Sequence, residues 1–119
     1  MKLKISAILV ALFLLPGWAA AHAFLDHAEP RVGSDVGAAP KEIRIWFTQQ
    51  IEPAFSKIQI FDSKGKQIDQ KDTHIDGKDH KLLIVSAPEL AAGTYKVSWH
   101  VVSVDTHRTQ GSFQFTIKP

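Results

Sequence analysis

The chain opens on one long apolar run and then changes to short stretches in which apolar and polar residues alternate. Ile5 to Leu15 is almost unbroken in its apolarity, with Lys2 and Lys4 before it and Pro16 and Gly17 after it. At about a dozen residues the run is short of the roughly 20 needed to cross a bilayer. Small residues at Ala19 and Ala21 fit an A-x-A cleavage rule, and Trp18 disfavours a cut one residue earlier. Residues 1–21 are therefore expected to be a secretory leader, cleaved after Ala21, with residues 22–119 forming one mature domain.

In that domain the period is two. Glu42 to Thr48 places Ile43, Ile45 and Phe47 on one face, and Lys57 to Phe61 alternates as well. Asp62-Ser63-Lys64-Gly65 reads as a turn into a short partner strand. Lys81 to Ser86 is a brief apolar run. Tyr95, Val97, Trp99 and Val101 share one face of Thr94 to Val102, with Lys96, Ser98 and His100 on the other. Phe113, Phe115 and Ile117 point inward from Ser112 to Lys118. With no long helix, repeat or low-complexity segment, about seven short strands predict an all-β, immunoglobulin-like Greek-key β-sandwich or small barrel. Leu90-Ala91-Ala92-Gly93-Thr94-Tyr95 has the form of a tyrosine corner, in which a phenol pins the chain as it enters a strand.

Composition narrows the chemistry. The 14 Lys and Arg residues outnumber 12 Asp and Glu, but Lys2 and Lys4 belong to the leader, so the mature domain carries 12 of each. No basic stripe remains to favour nucleic acid. There is no cysteine, so disulfides and thiolate ligands are excluded, and the only methionine is Met1. A soft thioether site for Cu(I) cannot be built from the mature chain. All six histidines remain.

Cleavage after Ala21 makes His22 the first residue, which offers a free α-amine and an imidazole at one point. Ser103-Val104-Asp105-Thr106-His107 supplies a second imidazole and a carboxylate in a short loop. Asp105 and His107 are two apart, so on an extended segment they point the same way. Brought together, these groups make a three-nitrogen, one-oxygen site suited to Cu(II). An α-amine, with an unperturbed pKa of about 7.7, loses its proton far more readily than a lysine, and amine and ring together close a chelate.

His22-Ala23-Phe24-Leu25, Ile45-Trp46-Phe47-Thr48 and above all Gly93-Thr94-Tyr95-Lys96-Val97-Ser98-Trp99-His100-Val101-Val102-Ser103-Val104-Asp105-Thr106-His107 resemble the CopC family of periplasmic copper-binding proteins. The likeness runs over essentially the whole mature domain, and the long G-T-Y run is its most specific part. It implies a periplasmic Cu(II) carrier or buffer for copper homeostasis and resistance, with one ion per mature chain in a histidine brace. The matching ligands are His22 by amine and imidazole, His107 by imidazole, and Asp105 as a weaker carboxylate contact. It further implies an inner-membrane CopD-type copper transporter as partner; a monomer is expected. Some members place an acidic residue where this chain has Thr48-Gln49-Gln50, so Gln49 is not counted as a ligand. Others carry methionine-rich Cu(I) loops, and this chain matches the variant with a Cu(II) site only.

A histidine brace also serves copper oxygenases that cleave polysaccharides, but those are larger and display a flat aromatic face. No phosphate loop and no nucleophile–base constellation is present, so a carrier is expected rather than an enzyme. An immunoglobulin-like structural module would leave His22 and the Asp-x-His loop unexplained. Among the other histidines, His27 is expected to be exposed on a strand. His74 and His80 flank the polar turn at Asp76-Gly77-Lys78-Asp79 and are expected in solvated loop. His100 either orients a ligand or is part-buried, and Trp46 and Trp99 are expected in the core.

Overall fold

The computed structural model describes residues 23–119. The expected leader, its cleavage point and His22 lie outside the described residues. Eight strands are present among them: β1 (Leu25–Glu29), β2 (Asp35–Val36), β3 (Glu42–Phe47), β4 (Lys57–Phe61), β5 (His74–Ile75), β6 (Leu82–Ser86), β7 (Gly93–Val102) and β8 (Arg108–Ile117). They form two four-stranded sheets, in the orders β1-β3-β6-β5 and β2-β8-β7-β4. All pairings are antiparallel except β2 with β8.

Alternation decides which side chains meet between the sheets. Ile43, Ile45 and Phe47 of β3 face Ile58 and Ile60 of β4, Val97, Trp99 and Val101 of β7, and Phe113, Phe115 and Ile117 of β8 in one buried cluster. Each such side chain contributes about 1.5–3 kcal/mol by leaving water, which is how a cysteine-free domain holds together. β6 departs from alternation because Leu82 to Val85 are all buried. Its outward Leu82 and Ile84 have Trp46, Arg44 and His74 as cross-strand neighbours.

Four expectations need correcting. Trp46 is not core: lying between Ile45 and Phe47 it must point outward, and it is only half-buried on the outer face of its sheet. Trp99 is core, its ring edge-on to Phe47 at 73°. β8 begins at Arg108, four residues before the expected start at Ser112, because polar Arg108 to Gly111 pair with Val102 to Trp99 of β7. Gly111 is required there, since a Cβ would lie 2.5 Å from the Trp99 ring. His74 belongs to the two-residue β5 rather than to loop, though its side chain is exposed as expected. The turn at residues 62–65 closes with Gly65 at φ +83°, but its partner strand shrinks to a single bridge between Phe61 and Gln67.

The tyrosine corner is present. The Tyr95 hydroxyl donates to the Ala91 carbonyl at 2.7 Å and the ring stacks on Phe115. Edge strand β4 is held by a buried carboxylate. Asp69 accepts from the Ile60 N–H at 2.9 Å and from the Lys71 N–H at 3.2 Å.

Candidate metal centre

The Asp-x-His segment is the loop of the β7–β8 hairpin. β7 ends at Val102, and the backbone then folds on itself. The Ser103 N–H donates to the His107 carbonyl at 3.0 Å, and the Thr106 N–H donates to Ser103 O at 2.8 Å. Thr106 takes a left-handed conformation, φ +73°, which is uncommon for a β-branched residue. The loop is tied down from outside as well, because the Val104 N–H donates to the Gln50 carbonyl at 3.1 Å.

Ser103 is the keystone. It is 1% exposed, and its hydroxyl donates to Asp105 Oδ1 and also lies 3.3 Å from the His107 carbonyl. The other Asp105 oxygen, Oδ2, lies 3.3 Å from His107 Nδ1, with both side chains about half exposed. The Ser103 hydroxyl first, and the His107 imidazole after it, hold the Asp105 carboxyl below its ordinary value of 3.8, against some loss of solvation. A carboxylate on one ring nitrogen orients an imidazole and raises the basicity of the other. The arrangement is thus a pre-set imidazole donor beside an anion, at an open edge of the sandwich.

Ala23 and Phe24 come to the same end. Ala23 is fully buried, and its carbonyl accepts from Thr109 Oγ1 at 2.6 Å, two residues beyond His107. The Phe24 N–H donates to Thr48 Oγ1 at 3.0 Å, and the Thr48 N–H returns a bond to Phe24 O at 2.9 Å. Of the three residues expected to hold metal, Asp105 and His107 are brought together, while His22 lies outside the described residues. Among the described residues no group of three or more His, Cys, Asp or Glu is placed to hold an ion.

The CopC domain model matches residues 25–118. Protein YobA of Escherichia coli K12 is 40% identical over 114 residues, which cover 94% of this chain and 90% of that protein. The chain belongs to the CopC family. Copper transport protein CutJ of Bacillus subtilis is 30% identical over 111 residues, covering 92% of this chain but only 20% of that longer protein. The crystal structure of CopC from Methylosinus trichosporium OB3b superposes with a TM-score of 0.78 at 38% identity, covering 82% of this chain and 95% of that one. Membership of CopC thus places the chain among copper-resistance and copper-transport proteins, on the immunoglobulin-like sandwich that alternation predicts.

The remaining histidines of this CopC-family chain fall elsewhere. His27, on β1 as expected, lies with Nδ1 2.6 Å from Asp26 Oδ2, which accepts from it, and stacks on Trp46 at 4.3 Å and 10°. Arg44 lies over the same indole and pairs with Glu42. No pattern of spacing announces this outer-face stack, since His27 and Trp46 meet only through the β1–β3 register. His100 is part-buried on the outer face of β7, opposite Lys57 and Gln110.

Proposed function

We propose that the chain is an exported Cu(II) carrier or buffer, matured by removal of residues 1–21 and acting in the periplasm. The ion is its cargo, bound one per chain. The His22 amine and imidazole and the His107 imidazole are the nitrogen donors in this reading, and Asp105 orients His107 and adds a weak oxygen contact. The observation that carries it is the meeting of two remote parts of the chain. Ala23, the residue after His22, is bonded to β8 two residues from His107, which sits against Asp105.

The donor chemistry supports Cu(II) over Cu(I). Imidazole, amine and carboxylate are nitrogen and oxygen ligands, the mature chain has no sulfur, and nitrogen-rich sites favour Cu(II) among first-row ions. Delivery to a CopD-type membrane transporter is the role this reading assigns. The matched region forms only a fifth of the longer copper transport protein CutJ. In that protein the domain shares a chain with a transport function.

The test is intact mass of the exported protein followed by Cu(II) titration against a competing chelator. The expected result is a chain starting at His22 that binds one Cu(II) tightly and Cu(I) weakly. A second sample carries one extra Gly before His22. Equal Cu(II) affinity in the two samples would exclude the amine as a ligand and with it the brace.

A further inference from the structure

The amino end of a domain usually frays unless something ties it down. Here the first two described residues are tied by side chains rather than by sheet pairing alone. Ala23 precedes β1, yet it is fully buried and its carbonyl is held by Thr109 Oγ1 at 2.6 Å. Phe24, also before β1, is held at both its backbone groups by Thr48, one bond of 3.0 Å to the hydroxyl and one of 2.9 Å from the amide. Thr109 shares the register of buried Val101, so its hydroxyl is aimed at the inside edge of the sandwich rather than at solvent.

We propose that Thr109 and Thr48 are positioning residues for the amino terminus, holding Ala23 and Phe24 so that the preceding histidine presents its amine to the Asp105–His107 loop. The inference rests on the brace reading above. Its geometry is direct. Thr109 stands two residues from His107, about 7 Å along an extended strand, and a residue bonded to Ala23 has its Cα about 3.8 Å from that of Ala23. Ala23 is thereby held at the same end of the sandwich as the Asp105–His107 loop. Fixing Ala23 and Phe24 before the ion arrives removes an ordering cost from binding, which is how preorganisation raises affinity. It also fixes the register: one residue more or fewer before Ala23 moves the amine off the site while leaving both threonine bonds in place. The two hydroxyls thus set the cleavage point that yields a working protein.

The experiment is a double-mutant cycle on the mature chain, crossing Thr109→Val with one added Gly before His22. Cu(II) affinity is read by chelator competition, and amide exchange at Phe24 is read in the metal-free protein. Thr109→Val keeps the shape and removes the hydroxyl. In the native-start chain it is expected to lower affinity about five- to tenfold, the usual worth of one hydrogen bond, and to speed exchange at Phe24. Thr109→Ser is expected to restore both. In the Gly-extended chain, where the amine is already misplaced, the same substitution is expected to change affinity little. Should Thr109→Val fail to fold, Thr48→Val, at an exposed position, takes its place in the cycle.

Two failures are distinguishable. If Gly extension alone leaves affinity unchanged, the brace reading falls and the positioning role falls with it. If extension weakens binding but Thr109→Val and Thr48→Val match the unsubstituted chain, the brace stands and the positioning role is overturned. Equal loss from Thr109→Val in native-start and extended chains also overturns it, because the effect would not run through the amine.

Discussion

β7 is entered through Tyr95 and left through the Ser103–His107 loop, and its two ends are built by different means. At the entry a neutral phenol, largely buried, donates to the Ala91 carbonyl and stacks on Phe115. The contact works only by holding the chain. At the exit a buried serine hydroxyl organises two half-exposed ionisable groups that face outward. That end leaves the Asp105 and His107 side chains about half exposed while they remain bonded to each other. One strand therefore carries a closed, largely buried end and a half-exposed, ionisable one. Substitutions at the two should separate stability from copper binding.

The sharpest separation is expected from His107→Ala. Loss of an orienting partner of a metal ligand typically costs 10–100-fold in affinity, so loss of the imidazole itself should exceed about 100-fold for Cu(II). The apo protein should melt within about 0.5 kcal/mol of wild type, as an exposed substitution does. A large fall in apo stability would mean that the loop is a structural turn after all.

Tyr95→Phe is the reverse experiment. It removes the bond to Ala91 while keeping the ring on Phe115. Unfolding free energy should fall by about 0.5–1.5 kcal/mol, read by urea denaturation, with Cu(II) affinity unchanged. A change in copper affinity would show that the two ends of β7 are coupled.

The smallest effect concerns acid. Asp105 is held below its ordinary value, chiefly by Ser103, so in the folded apo protein it is charged to lower pH than in the unfolded chain. Its stabilising contribution is present above the unfolded value near 3.8 and is lost as pH falls through the lower folded value. Asp72, lowered by its bonds to Ser86, acts in the same direction. Asp105→Asn should lower apo stability slightly near neutrality and flatten its fall below about pH 4, where the unsubstituted chain loses the same contribution. Copper release belongs to a different range. Protons compete with a metal for imidazole and amine, so binding weakens as pH falls through about 6. Comparing thermal melts of the apo protein with copper titrations across pH tests this. Coincident acid limbs would contradict the assignment of nitrogen ligands.

What could be read from residues alone was whatever repeats locally. Ile43-x-Ile45-x-Phe47 and Tyr95-x-Val97-x-Trp99-x-Val101 give their strands and inner faces directly, because a side-chain period of two needs no knowledge of the partner. Asp105 and His107 were legible from their spacing, although the backbone between them turns at Thr106, φ +73°, where an extended segment was expected. The first half of β8 was hidden because Arg108 to Gly111 are polar or small and take their place from pairing with β7. Trp46 misleads because its size suggests burial, while its position between Ile45 and Phe47 turns it outward to meet His27. Asp69 and Thr109 leave no local trace. Each acts by a single hydrogen bond or pair of bonds to backbone elsewhere, and only the finished fold shows where that backbone lies.

The bond from Thr109 to Ala23 joins residues 86 apart in the sequence, across nearly the whole described domain. In the proposed brace, an ion held on one side by His22 and on the other by His107 would close the same span as a coordination cross-link. Disulfides across spans of that length stabilise a fold chiefly by restricting the unfolded chain, and this chain has no cysteine with which to make one. Copper would then serve as a removable staple. The loaded carrier would resist pulling and proteolysis along its whole length, and handing over the ion would release the seam.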